Sequence, residues 1–181
     1  MKKFKCTVCG HIQDNNEKCE LCGVGPEKFV EVEINEDELT WAQEHELGIA
    51  KGVDPEIYEG LLKCFEAEVT EVGMYLAMAR VAYREGYPEI GETLRAIAWE
   101  EAEHAAKFEE LAQDKIFGTT EENLVKMIYG ENGACELRYQ IATNAKKQNL
   151  DAIHDAVHEI SKDEARHGRA LQGMLKRHFN K

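Results

Sequence analysis

Residues 97–108 read Ile97-Ala-Trp-Glu-Glu101-Ala-Glu-His104-Ala-Ala-Lys-Phe108, and residues 160–171 read Ile160-Ser-Lys-Asp-Glu164-Ala-Arg-His167-Gly-Arg-Ala-Leu171. Each stretch carries a Glu-x-x-His, and each is preceded by another Glu 33 positions upstream (101−68 and 164−131). Glu68, Glu101 and His104 thus recur as Glu131, Glu164 and His167 after a shift of 63 (131−68). Residues three apart are neighbours on a helix surface, so each Glu-x-x-His presents a carboxylate and an imidazole on one face. Two such motifs, plus a Glu from each of two further helices, form the ligand set of di-iron and di-manganese carboxylate bundles.

The surroundings of these residues follow a helical period. The second helical stretch has a stripe of Ile90, Leu94, Ile97, Glu101, His104, Phe108 and Leu111, and the fourth repeats it as Ile153, Val157, Ile160, Glu164, His167, Leu171 and Met174. The first reads Leu61, Phe65, Glu68, Val72, Tyr75, Ala79 and Ala82. The third reads Leu124, Ile128, Glu131 and Cys135, then less cleanly through Arg138 or Tyr139 to Ala142. An amphipathic helix keeps such a seam apolar, and a charge buried there is costly unless it is paired or holds a metal. Four interruptions at one depth of four stripes imply that they meet. Glu100, Glu103, Glu109 and Glu110 instead read as the solvated face of an acidic helix.

The 181 residues, 43% of them hydrophobic, suffice for one domain with a small appendage. A net charge of −13 disfavours nucleic acid and anionic membranes as partners. No apolar run matches a membrane span, and the start Met1-Lys-Lys-Phe-Lys-Cys6 lacks the apolar stretch of a signal peptide. Four of the six cysteines form two Cys-x-x-Cys-Gly units, Cys6/Cys9 and Cys19/Cys22. That pattern reads as a metal site in a reducing cytoplasm rather than a disulfide scaffold. Four thiolates suit zinc or iron alike. The nearby carboxylate site favours iron, because a redox dimetal centre needs a one-electron donor.

Composition divides the chain into residues 1–35, rich in cysteine, turn formers and short extended pieces, and a helical remainder. Residues 36–53 are expected to hold a short connecting helix, over about 36–51, and a linker. Four helices are expected at about 54–85, 88–114, 120–147 and 150–179, so that 54–114 and 120–179 are repeated antiparallel hairpins within a domain spanning 54–181.

On these motifs the chain resembles the rubrerythrins, in the reverse arrangement with the rubredoxin-like part first. The resemblance covers nearly the whole chain, the connecting segment least. It implies a mainly α protein: a ferritin-like four-helix bundle with a small N-terminal rubredoxin-like iron–thiolate domain. It further implies one mononuclear iron on Cys6, Cys9, Cys19 and Cys22, and a di-iron centre on Glu68, Glu101, His104, Glu131, Glu164 and His167. The implied activity is reduction of hydrogen peroxide to water for oxidative-stress defence, with electrons from rubredoxin or an NAD(P)H-driven rubredoxin reductase. Iron oxidation and storage is the alternative within the same fold, and a non-redox zinc scaffold is a third reading. Rubrerythrins commonly carry a seventh ligand, a Glu three residues after the lone Glu of the third helix. Here that position is Ala134, while its counterpart in the first half, Glu71 (134−63), is a Glu. Glu71 is therefore expected to supply the relocated carboxylate.

Tyr75 and Tyr139 read as hydrogen-bond donors to ligand carboxylates or as core aromatics. Cys64 and Cys135 read as small buried apolar residues, Trp99 as packing, and His11, His45, His154, His158 and His178 as surface or capping residues. The connection between the second and third helices is short. Ligand depths place the helix ends about 30 Å apart along one bundle at about 1.5 Å per residue, whereas residues 115–120 span only about 20 Å fully extended. A homodimer with exchanged helical hairpins follows as the expected assembly.

Overall fold

The computed structural model describes residues 2–33 and 42–180. These fall into two compact units, divided between His45 and Glu46. The first unit is a three-stranded antiparallel sheet in which β1 (Lys2–Cys6) lies between β2 (Ile12–Gln13) and β3 (Phe29–Glu33). Its buried apolar residues are Cys6 and Cys19, so the thiols themselves form the core.

The second unit holds α1 (Pro55–Glu85), α2 (Pro88–Ala112), α3 (Thr120–Lys147) and α4 (Asp151–Phe179). Asp54 caps α1 by accepting the Glu56 amide, and proline occupies the first turn of α1 and of α2. Both are favoured helix starts, because the first-turn amides have no partner within the helix. Thr119 caps α3 in the same way through the Glu122 amide, and the Glu122 carboxylate accepts from the Thr119 hydroxyl. The chain turns at Gly86-Tyr87 and at Gln148–Leu150, giving an α1–α2 hairpin and an α3–α4 hairpin.

The fold class is mainly α and ferritin-like, with the cysteine-bearing sheet unit at the N-terminus. The connecting helix expected over 36–51 is not formed where its residues are described. Residues 42–53 run as turns and irregular chain, and residues 36–41 lie outside the described residues. Two features account for this, the first being that Gly48 and Gly52 take left-handed backbone, at φ 72° and 87°. The Gly48 and Ala50 amides are spent on the Glu110 and Leu111 carbonyls at the end of α2, at 2.8 and 3.0 Å.

Within the chain α1 packs on α2 and α3 on α4, while the two hairpins have no comparable packing on each other. The buried residues of the helices are small (Ala79, Ala98, Ala105 and Ala142 among them), with Glu109 the one large exception. Val69, Met74, Ile90, Leu137, Ile153 and Ile160 remain exposed. Alanine seams let each pair of helices approach closely, yet the large apolar side chains that normally fill a core find no cover in the single chain.

The segment between α2 and α3 is tied down. Glu109 Oε1 accepts the Lys115 and Ile116 amides at 2.5 and 2.8 Å. Asn123 accepts from the Phe117 amide at 2.7 Å and donates to the Phe117 and Thr119 carbonyls. The Lys126 ammonium donates to the Lys115 carbonyl. These bonds fix the path of the chain from α2 into α3.

Candidate metal centres

In the N-terminal unit two equivalent knuckles hold the thiols. The Gly10 amide donates to the Cys6 carbonyl and the Gly23 amide to the Cys19 carbonyl, both at 2.9 Å. Gly10 and Gly23 have φ of 79° and 75°, a region that glycine enters without steric cost. The Sγ atoms of Cys6 and Cys22 lie 3.7 Å apart, as do those of Cys9 and Cys19. Ligands about 2.3 Å from a tetrahedral metal are separated by roughly 3.8 Å, so the cage fits a thiolate-bound ion. Cys6 and Cys19 are buried, and Cys9 and Cys22 are exposed.

The backbone prepares the anions. The Cys22 amide, with that of Leu21, outweighs burial and draws Cys19 down to about 6. Cys22 is pushed up to about 12, because the Val24 amide's pull is outweighed by the neighbouring thiols and burial. Crowded thiols share protons that a cation would displace.

In the helical unit each hairpin assembles one trio. Glu68 on α1 meets Glu101 and His104 on α2, and Glu131 on α3 meets Glu164 and His167 on α4, with one ligand atom of each residue within 4.8 Å of the others. His104 Nδ1 lies 2.9 Å from Glu101 Oε2. His167 Nδ1 lies 3.4 Å from Glu164 Oε2 and 3.5 Å from Glu131 Oε2. Two carboxylates share each small space, and one of each pair holds its proton more tightly. Glu68 is raised by its hydrogen bond with Glu101 and then by burial. Glu131 is raised by Glu164 and then by burial, while Glu164 is lowered by the same hydrogen bond. Glu131 Oε2 is buried without a hydrogen-bond partner. Two crowded carboxylates and an imidazole in each trio, with a buried oxygen lacking a donor in the second, suit a divalent cation.

Glu71 lies outside the three-residue clusters and lines a groove along α1 with Lys63, Glu66, Met74, Tyr75 and Met78. A second groove, on α3 and α4, has Glu164 in its wall beside Ile128, Cys135, Ala165, Gly168 and Leu175. The second trio therefore borders an open, largely apolar groove through Glu164, while the α1 groove contains no residue of the first trio. Neither Tyr75 nor Tyr139 is hydrogen-bonded to a trio carboxylate; Tyr139 is tilted against His158, with ring centroids 6.1 Å apart. His154 and His158 stack at 5.3 Å, a pairing legible in their spacing of four but without a third ligand group.

One residue near the site was not recognised from the sequence. Arg138, which breaks the third stripe, places its Nε 3.1 Å from Glu164 Oε1. The 63-residue shift could have revealed it, since it sets Arg138 opposite Tyr75 (138−63).

A rubrerythrin family model matches residues 59–175. The chain is 58% identical to reverse rubrerythrin-1 of Clostridium acetobutylicum over 182 aligned positions, covering 99% of each chain. It is 45% identical to an uncharacterised protein of Methanocaldococcus jannaschii over 142 positions, 78% of this chain and 99% of that one. With four close cysteines for a mononuclear iron and paired Glu/His groups for a di-iron centre, the metals implied by the motifs fit the side chains present. Among the described residues no helix is long and apolar enough to cross a membrane.

Proposed function

Because this chain belongs to the rubrerythrin family of oxidative-stress di-iron proteins, we propose that it is an NAD(P)H-linked peroxidase converting hydrogen peroxide, two protons and two electrons into two waters. The observation that carries this reading is the coexistence in one chain of a tetrathiolate cage and two carboxylate–imidazole trios. A storage protein has little use for an electron port.

When bound, a pair of ferrous ions supplies the two electrons and the Lewis acidity for breaking the O–O bond. The protein's part is to hold and protonate. Glu68, Glu101, His104, Glu131, Glu164 and His167 would hold the two metal ions, and Glu71 would add a seventh carboxylate. While unbound and protonated, Glu71 would instead deliver a proton to the departing oxygen. Cys6, Cys9, Cys19 and Cys22 hold the iron that returns electrons singly. Cys9 and Cys22 are exposed, beside the exposed Val8 and Leu21. That apolar rim suits docking of a rubredoxin or an NAD(P)H:rubredoxin reductase. Free thiols accord with a reducing cytoplasm.

The working form in this proposal is a homodimer with exchanged hairpins, in which α1–α2 of one protomer closes on α3–α4 of its partner. Three features support it: the hairpins do not pack within one chain, each carries half of the ligands, and the α2–α3 connection is short and pinned. The test of the activity is NADH consumption with a rubredoxin reductase and hydrogen peroxide. One NADH per peroxide, with no accumulation of ferric mineral, is expected. Iron uptake without peroxide-dependent NADH consumption would favour storage.

A further inference from the structure

The two halves of the carboxylate site repeat in sequence but not in charge. At the seam positions flanking the ligands, the first half has Glu71 and Tyr75, and the second has Ala134 and Arg138 (71+63 and 75+63). Arg138 is held in place: besides its 3.1 Å ion pair with Glu164, its guanidinium donates to the Ala134 carbonyl at 3.1 Å. Its side chain is 36% exposed and that of Glu164 only 14%, so solvent screens the pair incompletely. A guanidinium stays charged at any working pH. It withdraws electron density from the carboxylate it touches and repels a dication bound there. Among the described residues no Lys or Arg pairs with the first trio: Glu101 faces His104, and Glu68 feels the charge of Glu71.

We infer that Arg138 makes the two metal positions unequal, so that the position of Glu131, Glu164 and His167 fills last and empties first. The position of Glu68, Glu101 and His104 fills first. Arg138 is a positioning residue, acting through Glu164 and through its charge. An uneven pair suits a centre that must give up two electrons to one peroxide, because the two ions then differ in how readily each is oxidised. This inference rests on the reading of the six Glu and His residues as one two-metal centre.

The test is a cobalt(II) titration of the full-length protein with its thiolate site already filled with iron and its carboxylate site emptied. Uptake is followed by calorimetry and by visible absorption. The wild type is expected to show two steps at least about tenfold apart in affinity, the order of effect that one partly screened neighbouring charge produces. R138L should strengthen the weaker step by about that factor and merge the two, whereas R138K should keep them apart. His167→Ala should remove the weaker step, and His104→Ala the tighter. R138Q serves as a second charge-removing variant should the leucine chain fail to fold.

A residue that merely braces Glu164 would act with the opposite sign. Weaker or unchanged binding in R138L and R138Q would therefore overturn the inference, as would loss of the tighter step in His167→Ala. No cobalt uptake by the wild-type carboxylates would overturn the two-metal reading together with this one. A failure of peroxidase activity with the two steps intact would strike the proposed function alone.

Discussion

The thiolate cage and the carboxylate site are assembled on opposite plans. The four thiols come from Cys6 to Cys22, a span that two glycine knuckles and one strand edge close locally. The carboxylates and imidazoles come from Glu68 to His167, on four helices, and the chain brings them together only in threes. The first site is complete with its surroundings, buried on the Cys6 and Cys19 side. The helices carrying the second leave Val69, Ile90, Leu137 and Ile153 exposed, large apolar residues that water should not cover. Sites built from nearby residues need only their own loop, while sites built from distant ones need a core, and in the proposed exchanged dimer two chains supply that core.

The largest effect expected from breaking that contrast is loss of one site with survival of the other. Ile90→Asp combined with Ile153→Asp places charges on faces the single chain leaves open, so each hairpin should still form. Sedimentation should show monomers with the red ferric–thiolate colour intact and no di-iron absorbance. Di-iron loading in such monomers would show that one chain closes its own bundle.

The converse break is Cys9→Ser, which removes a thiolate ligand. The red colour and NADH-linked turnover should disappear, yet the chemically reduced di-iron site should still be oxidised once by peroxide. Persisting steady-state turnover would mean that electrons enter elsewhere. Next in size is Glu71→Ala, expected to slow peroxide reduction by about a hundredfold, the lower end of general-acid contributions. It should also alter the di-iron spectrum while leaving the helical circular dichroism unchanged. A wild-type spectrum and rate would return Glu71 to the solvated face of α1.

The smallest effect is thermodynamic. Inserting about six Gly/Ser residues after Gly118 costs little closure entropy, since doubling a loop costs only about 0.6 kcal/mol. It should give the hairpins the slack to close within one chain, seen as a monomer that retains di-iron. An exclusively dimeric insertion variant would locate the cause of exchange outside the connection.

Much of this was legible in the sequence because it is periodic. The 63-residue recurrence and the interrupted stripes identified Glu68, Glu101, His104, Glu131, Glu164 and His167, and the structure groups them as two trios. Helix ends were readable where chemistry marks them: Asp54-Pro55 and Thr119 with Glu122 cap helices as their side chains dictate. The connecting helix expected over 36–51 from its Ala, Glu and Leu content does not form in its described part, residues 42–51, because amides there bond to the end of α2, a tertiary contact no local pattern reports. Arg138 was passed over for the same reason, since its partner Glu164 lies on another helix. Glu109 read as one more solvated carboxylate, yet it is buried and organises the turn into α3. Glu109→Ala should therefore cost about 1.5–3 kcal/mol, the order of a hydrogen bond to a charged group, measured by denaturant unfolding.

The central claim, that each di-iron site takes one hairpin from each of two chains, is tested most directly by complementation. A Glu101→Ala chain and a Glu164→Ala chain, each inactive alone, are unfolded together, refolded and loaded with iron, and the heterodimers are isolated by two different affinity tags. Exchange puts both lesions in one site and leaves the other with all six of its Glu and His residues, so the heterodimer should recover about half of the wild-type peroxidase activity. Isolated heterodimers with no activity would mean that each chain builds its own site.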